Sequence, residues 1–293
     1  MATEESRWLH SRRVRELKKA LLLKEWIFIA IALAGATVVL LPFLWMLTTS
    51  LRQSNEAYTF PPRFLPNEFR IINYIEVFKS SIPFVALFLN SAKVSIITTL
   101  AQLVTCSTAA YGFARLKFPG RDVIFMILLS TLMVPIQVTI IPIFLGMSKL
   151  RLVDTHWSLI LPSLTSVFGV FLLRQFFLTL PHELEDSGKM DGAGYGTIFL
   201  RIILPQAGAS VAALAIITFN NTWNSFFVPL IFLNSWNKMT LPLGIASLKG
   251  YMGSGNQSAV MAGICIAILP IVLAFIAAQR YFIEGVTLTG MKS

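Results

Sequence analysis

The chain has 293 residues, of which 55% are hydrophobic and 13% charged, and a formal charge of +10. A soluble domain carries about a quarter charged residues, and one aqueous core cannot bury apolar runs this long, so a soluble globular fold is excluded and the bilayer is the solvent. The basic excess is scattered between the apolar runs rather than forming a stripe, which excludes a nucleic-acid surface and reads as membrane topology.

Residues 1–25 form a basic tail in which Arg7, Arg12, Arg13, Arg15, Lys18, Lys19 and Lys24 surround Val14, Leu17 and Leu21. Those three apolar residues have helical spacing and can lie on an anionic inner leaflet; a solvated tail whose charges set orientation is the equal alternative. The charge-free run 26–47, about 22 residues, is long enough to cross a hydrocarbon core of about 30 Å. It is expected to be a retained span, because a polar tail precedes it and no small-residue cleavage pattern follows. Ser50 to Ser80, with Pro61, Pro62 and Pro66, reads as an extended outer loop able to meet a partner.

Further apolar runs at 82–113, 123–147, 157–180, 204–233 and 259–282 make 26–293 an all-α membrane protein domain with about six transmembrane helices. Pro135 and Pro142 interrupt the third run, and Pro229 and Pro270 lie in the fifth and sixth, where each frees a backbone carbonyl and can kink a helix. The tail, the loop with Arg115, Lys117 and Arg121, and the loop flanked by Arg174, Lys189 and Arg201 hold the larger share of the basic residues. That places both termini in the cytoplasm. Cys106 and Cys265 fall inside apolar runs and read as free, packed thiols. His10, His156 and His182 are scattered, and no metal site is expected.

Two features within the spans bear on a pathway. Lys93 stands about eleven positions into an apolar run, where an ammonium facing lipid costs roughly 2.5–3.5 kcal/mol at the helix centre, so it either faces the bundle or snorkels outward. Facing the bundle, it would line an outer cavity and favour an acidic cargo. Asn220, Asn221, Trp223 and Asn224 cluster in the fifth run. Amides and an indole suit sugar hydroxyls and ring faces, while the competing reading is interhelical hydrogen bonding.

Between the fourth and fifth runs comes a polar stretch with four acidic residues, Glu183, Glu185, Asp186 and Asp191, on the basic side of the chain. Pro181 can open a helix there, Glu185 and Lys189 form a favourable pair one turn apart, and Gly192 can supply the left-handed turn that ends it. A short helix, a sharp turn and a second helix leading back into the membrane follow from that order. An ordered acidic helix beneath a basic face offers a docking knob to another protein.

The pattern Asp186-Ser187-Gly188-x-x-Asp191-Gly192-Ala193, followed by Phe199, Ile202, Leu204 and Pro205, resembles the EAA loop of the permease subunits of bacterial ABC importers. Phe219-Asn220-Asn221-Thr222-Trp223-Asn224, Thr240-Leu241-Pro242-Leu243-Gly244 and Gln279-Arg280-Tyr281-Phe282-Ile283-Glu284-Gly285 are similar to the carbohydrate branch, of the MalG type. Four positions depart from that pattern: Asp186-Ser187-Gly188 replaces Glu-Ala-Ala, and Ala209 stands where a proline is frequent. The mid-helix glycine should loosen the helix by about 1 kcal/mol relative to alanine.

The resemblance implies a type I ABC importer fold with a cytoplasmic coupling helix between spans 4 and 5. The helix would dock on an ATPase through Glu183, Glu185, Asp186, Ser187, Gly188, Asp191, Gly192 and Ala193. It implies a multi-pass protein of the bacterial inner membrane working by alternating access. The partners would be a second homologous permease, two cytoplasmic ATPase subunits that carry ATP and Mg, and a periplasmic substrate-binding protein. The cargo would be a carbohydrate, and an overall likeness to alginate importers extends the expectation to acidic oligosaccharides. This chain is expected to bind no cofactor and to catalyse no reaction, since the sequence has no GxxxxGK[ST] phosphate loop. An importer of a non-sugar solute would share the coupling loop. A secondary transporter would need internal repeats and intramembrane carboxylates, which the sequence does not offer.

Overall fold

The computed structural model describes the backbone of residues 2–53, 56, 63–79, 83–251 and 256–290, and the side chains of the same residues apart from 2–23, 247–251 and 278–290. Pro61 and Pro62 of the outer loop lie outside the described residues. So do the side chains of His10, Val14, Leu17 and Leu21 in the tail and of the 279–285 motif.

Fourteen helices follow one another among the described residues, and no strand occurs among them. Helix α1 (Ala2–Ser50) carries the tail and the first span as one continuous rod. Helix α2 (Ile72–Lys79) caps the far end of the bundle, and α3 (Phe84–Arg115) is the second span. Helices α4 (Arg121–Ser130) and α5 (Ile136–Lys149) come next, then the short α6 (Trp157–Ile160) and α7 (Val167–Thr179). The polar stretch holds α8 (Glu183–Met190), and α9 (Tyr195–Ile198) and α10 (Leu204–Gln206) flank a π-helical turn over Phe199–Ile203. Helices α11 (Gly208–Trp223), α12 (Phe227–Phe232), α13 (Leu241–Tyr251) and α14 (Gln257–Gly290) complete the chain.

Four stretches are long and apolar enough to cross a membrane: Lys24–Ser50, Phe84–Arg115, Trp157–Thr179, in which α6 and α7 are joined through a 3-10 turn and an extended Ser166, and Gln257–Ala277. Each lies within a few residues of a run expected from the sequence. The other two expected spans are bent. Arg121–Met133 and Ile136–Lys149 meet at 102°, because Pro135 has no N–H to donate and forces Val134 into an extended conformation (φ −86°, ψ 115°). Pro142, by contrast, is accommodated inside α5. The run 204–233 is corrected more deeply. Leu204 to Gln206 belongs to a segment, Tyr195–Gln206, that meets α11 at 80°, so the membrane part of the fifth span begins at Gly208. It ends at Trp223, and α12 is a separate short helix with Pro229 in its first turn, where a missing N–H costs little.

Helix α3 is the axis of the bundle and packs on α7 and α11. Its buried face reads Ser91, Ser95, Thr98, Gln102, Cys106, Ala110 and Ala114, while Val85, Leu89, Ile96, Leu100 and Val104 are exposed. Lipid solvates the large apolar side chains, and small residues inside let neighbouring backbones approach. Gly169 of α7 shows how close: a Cβ there would stand 2.9 Å from both Cys106 Sγ and Leu214 Cδ1. Cys106 and Cys265 are free thiols, and the Cys106 sulfur accepts the Ser166 N–H at 3.3 Å.

Three clusters fill the interior. One at the α8 end joins Tyr111, Phe125, Leu173, Phe177, Ile198, Phe199 and Ile203; one at the far end joins Val77, Phe84, Leu87, Trp223 and Leu241; the third lies between α3, α5, α6 and α12 around Ile140, Ile160 and Phe232. Polar pins close both ends. At the far end Asn73 Nδ2 donates to the carbonyls of Ser50 and Arg52, 2.8 Å each. At the α8 end Arg174 lies 4.1 Å over the Phe125 ring and donates to the Phe113 carbonyl at 3.2 Å, joining spans 2, 3 and 4.

Candidate functional site

Helix α8 is only eight residues long, too short to hold itself in water, and three contacts fix it. Its C-terminus closes in a Schellman motif: the Gly192 N–H donates to the Lys189 carbonyl at 2.9 Å and the Ala193 N–H to the Gly188 carbonyl at 2.9 Å. Gly192 has φ +77°, the left-handed conformation expected of it. Its inner face rests on the π-helical turn, since a Cβ on Gly188 would stand 2.9 Å from Ile202 Cδ1 and 3.2 Å from Ile198 Cγ1. Gly188 is therefore a seat for Ile198 and Ile202 rather than the weak link expected from helix propensity.

The third contact is Arg115, the last residue of α3. Its side chain is 1% exposed and that of Glu185 6%, and Arg115 Nε lies 3.3 Å from Glu185 Oε1. The same guanidinium donates to the carbonyls of Phe177 and Leu180 at the end of α7, and to His182 Nδ1 at 2.9 Å. The Phe177 carbonyl also accepts the Leu180 N–H at 3.3 Å, and the cation satisfies the carbonyl end of α7.

This geometry corrects two expectations. Glu185 points inward to Arg115 and is buried rather than on the outward face of α8, and Lys189 pairs with Asp186 at 3.2 Å instead of with Glu185. An isolated helix would favour the expected pairing, and the buried Arg115 guanidinium, brought beside Glu185 by the fold, outcompetes it. The outward face keeps Glu183, Asp186, Ser187 and Asp191, all exposed. Met190 is 90% exposed at the apex, and Tyr195 is 62% exposed beside it. The apolar apex was legible only as two unremarkable letters.

The second candidate site is a cavity of about 230 Å³ lined by Val94, Gln102, Leu159, Ser163, Asn221, Thr222, Ser225, Val228, Pro229 and Thr240. Gln102 is held by both ends of its amide, donating to the Ser163 carbonyl at 2.8 Å and accepting the Thr218 hydroxyl at 2.9 Å. The Thr240 hydroxyl is buried without a partner, and Ser95, Thr98 and Thr99 on α3 have unpartnered hydroxyls as well. The lining carries hydroxyls and amides and no charge. It is smaller than the roughly 300–1,000 Å³ that encloses a drug-sized ligand, so it admits about one sugar ring at a time.

The Asn–Trp cluster divides. Asn221 lines the cavity. Asn224 Nδ2 donates to Asn220 Oδ1 at 2.9 Å, one helical turn back. Trp223 is corrected: it is 2% exposed, its Nε1 donates to the Ala267 carbonyl at 3.0 Å, and its ring packs on Phe88 and Phe219. A buried indole whose N–H is bonded to α14 and whose ring stacks on Phe219 and meets Phe88 nearly at right angles joins α11 to α14 and leaves no exposed face for a sugar. Lys93 is exposed on α3 and is not among the cavity residues. It faces the far-end loops, where burial first, and the Lys93 and Lys238 charges after it, hold the His156 imidazole below its ordinary pKa.

Those far-end loops are tied by Asp154, which has φ +58°. Its carboxylate accepts the N–H groups of Asn234 and Ser235 at 2.9 Å each, the Ser235 hydroxyl at 2.5 Å and Lys238 Nζ at 3.1 Å. No local pattern announces this tie, because its partners lie about eighty residues apart. Among the described residues no cluster of His, Cys, Asp or Glu could hold a metal ion.

The chain is similar to known proteins. The family model described as "Binding-protein-dependent transport system inner membrane component" matches residues 102–287. The arabinooligosaccharides transport system permease protein AraQ of Halalkalibacterium halodurans is 37% identical over 259 residues, which is 88% of this chain and 92% of the relative. The sn-glycerol-3-phosphate transport system permease protein UgpE of Yersinia pestis is 30% identical over 257 residues, 86% of this chain and 92% of that one. A solved chain from a bacterial ABC transporter involved in the import of the acidic polysaccharide alginate superposes with a TM-score of 0.76, covering 87% of this chain and 95% of its own length at 22% identity.

Proposed function

This chain belongs to the family of binding-protein-dependent transport system inner membrane components, and from that membership we propose that it is the permease subunit that carries a carbohydrate across the inner membrane. It is a multi-pass membrane protein of an ABC importer. The observation that carries the mechanistic reading is the hairpin: a helix too short to stand alone, closed by Gly192, seated on Ile198 and Ile202, and turning Asp186, Met190 and Asp191 outward. A rigid knob with an exposed apolar tip and an acidic rim has the anatomy of an interface anchor.

In this reading the knob sits in a groove of a cytoplasmic ATPase subunit, and both chain termini lie on that side, in keeping with the basic residues there. Two such ATPases hold ATP and Mg, a second homologous permease completes the pathway, and a periplasmic binding protein delivers the cargo. The chain itself binds no cofactor and performs no chemistry. Nucleotide binding to the partners favours one of two bundle conformations, because the knob is bound more tightly in one than in the other. Glu183, Asp186, Ser187, Asp191, Gly192 and Ala193 form or shape the docking surface, while Gly188 and Glu185 hold it from behind.

Asn221 stands on the sugar pathway, with Gln102, Ser163, Thr222, Ser225 and Thr240 as hydroxyl and amide partners for ring hydroxyls. Asn220 and Asn224 stand next to it on α11. The likeness to arabinooligosaccharide and alginate importers supports a saccharide cargo, and the uncharged lining favours contact with hydroxyls over contact with a carboxylate.

The test is co-purification of the detergent-solubilised chain with its ATPase subunits. Wild type should carry them through a tag on this chain, and Asp191→Lys or Gly192→Val should lose them while the chain stays in the membrane. An Asp191→Lys, Gly192→Val double variant that still retains the ATPase, or labelling of Ser187→Cys from outside the cell, would remove the reading.

A further inference from the structure

We infer that Arg115 is the positioning residue through which movement of the docking helix reaches spans 2 and 4 together. The inference rests on the reading of α8 as the ATPase-docking element and goes beyond it, since Arg115 itself lies behind the docking face.

The argument is geometric. Helix α8 touches the bundle by two routes. One is apolar, from Gly188 to Ile198 and Ile202, and leads through the π-helical turn to the 80° bend at Ala207 and so to span 5. A bend absorbs displacement, and this route alone would let α8 swing without moving the other helices. The other route is polar and converges on one side chain. Arg115 ends span 2 and binds the last carbonyls of span 4, Phe177 and Leu180, together with His182 and Glu185 at the start of α8.

The guanidinium donates to Phe177, Leu180 and His182 from one rigid plane and stands beside the Glu185 carboxylate as an ion pair, Nε to Oε1 at 3.3 Å, so four partners on two other elements do not shift independently of it. Burial makes separating the charges costly, and the joint stays closed while the elements move as one body. An ammonium, with three donors at a single point, cannot span the same set. A merely structural arginine would need only the carbonyls of α7. The additional ion pair to Glu185 ties that cap to the docking helix.

The experiment uses the full importer, both permeases with the ATPases, reconstituted in proteoliposomes with its binding protein. ATP hydrolysis and sugar uptake are measured on the same vesicles. Arg115→Lys and Glu185→Gln should still assemble with the ATPases and hydrolyse ATP, while uptake per ATP falls by about tenfold, within the usual range of coupling between sites. Glu185→Gln keeps side-chain size and leaves the carbonyl contacts of Arg115 in place, so it answers the question even where Arg115→Lys does not fold. Unchanged uptake per ATP in Glu185→Gln overturns the inference, as does a loss confined to the amount of assembled complex. A wild-type chain that binds no ATPase overturns the docking reading and the inference together.

Discussion

A methyl group placed on Gly188 would come within 2.9 Å of Ile202 Cδ1, the flexible end of a side chain on the neighbouring turn. Two effects oppose one another there. Alanine gains about 1 kcal/mol of helix propensity over glycine, and Ile202 must rotate or shift by a few tenths of an ångström to receive it. Gly188→Ala is therefore expected to leave uptake and complex stability within about 1 kcal/mol of wild type. Gly188→Val adds two further methyl carbons against Ile198 and Ile202 and should cost about 1–3 kcal/mol by overpacking. Thermal unfolding of the purified importer, run beside uptake in cells, separates the two, and equal melting of both variants would contradict the seat described for α8.

Gly192 makes the opposite case, since nothing lies within 4 Å of a Cβ there and only its φ of +77° demands glycine. The cost of replacement is backbone strain and follows tolerance of the left-handed region, not size. Gly192→Asn should retain ATPase binding almost fully, Gly192→Ala should lose about 1 kcal/mol, and Gly192→Val should lose the most. Pull-down of the ATPase across the three variants reads the order directly, and a ranking by side-chain volume alone would be wrong for this turn.

Asp154 is held well below the usual carboxylate range, chiefly by the Ser235 hydroxyl and N–H, against a burial penalty that exceeds either of the smaller contributions from the Asn234 N–H and Lys238. A lowered native pKa means that its stabilisation is present above the unfolded value of 3.8 and is lost as pH falls toward the native one. The tie between the two far-end loops should thus hold through neutral and mildly acidic pH and release only under strong acid. Asp154→Asn keeps a residue type that tolerates φ +58° but loses the charge-assisted bonds, about 2 kcal/mol. Asp154→Ala adds about 1 kcal/mol of left-handed strain. Limited proteolysis of the 150–155 and 234–238 loops across a pH series checks both statements.

Spans were legible where a helix runs unbroken, as at Phe84–Arg115, because hydropathy alone decides them. The two bent spans were half legible: Pro135 announced its break, but Ala207 carries no punctuation and the 80° turn depends on Pro205 and the π-helical turn acting together. Within the hairpin, the Gly192 turn is a local event and could be read from its letters. The inward direction of Glu185 could not, because Arg115 stands seventy residues earlier and only tertiary packing brings the two together. Trp223 failed for a related reason: an indole among asparagines resembles a sugar platform in sequence, and its burial depends on Phe88 and Ala267 of other helices.

Lys93 offers the sharpest division between neutral and acidic cargo. Val94 lines the cavity, and Lys93 stands about 100° around the helix from it, exposed toward the far-end loops. An uncharged ring entering the cavity meets hydroxyls, amides and apolar side chains but no charge, so Lys93→Ala should leave uptake of a neutral oligosaccharide unchanged. A uronate must keep its carboxylate outside that lining, where desolvation would cost several kcal/mol unpaired, and Lys93 is the cation placed to receive it. Uptake of an acidic oligosaccharide by Lys93→Ala vesicles should fall by about fivefold to tenfold, the loss of one partly exposed charge pair of about 1 kcal/mol, and the fall should shrink in high salt. Measuring both sugars on the same vesicles makes the comparison internal: an equal loss for neutral and acidic cargo would show that Lys93 supports the helix rather than the charge of what passes it.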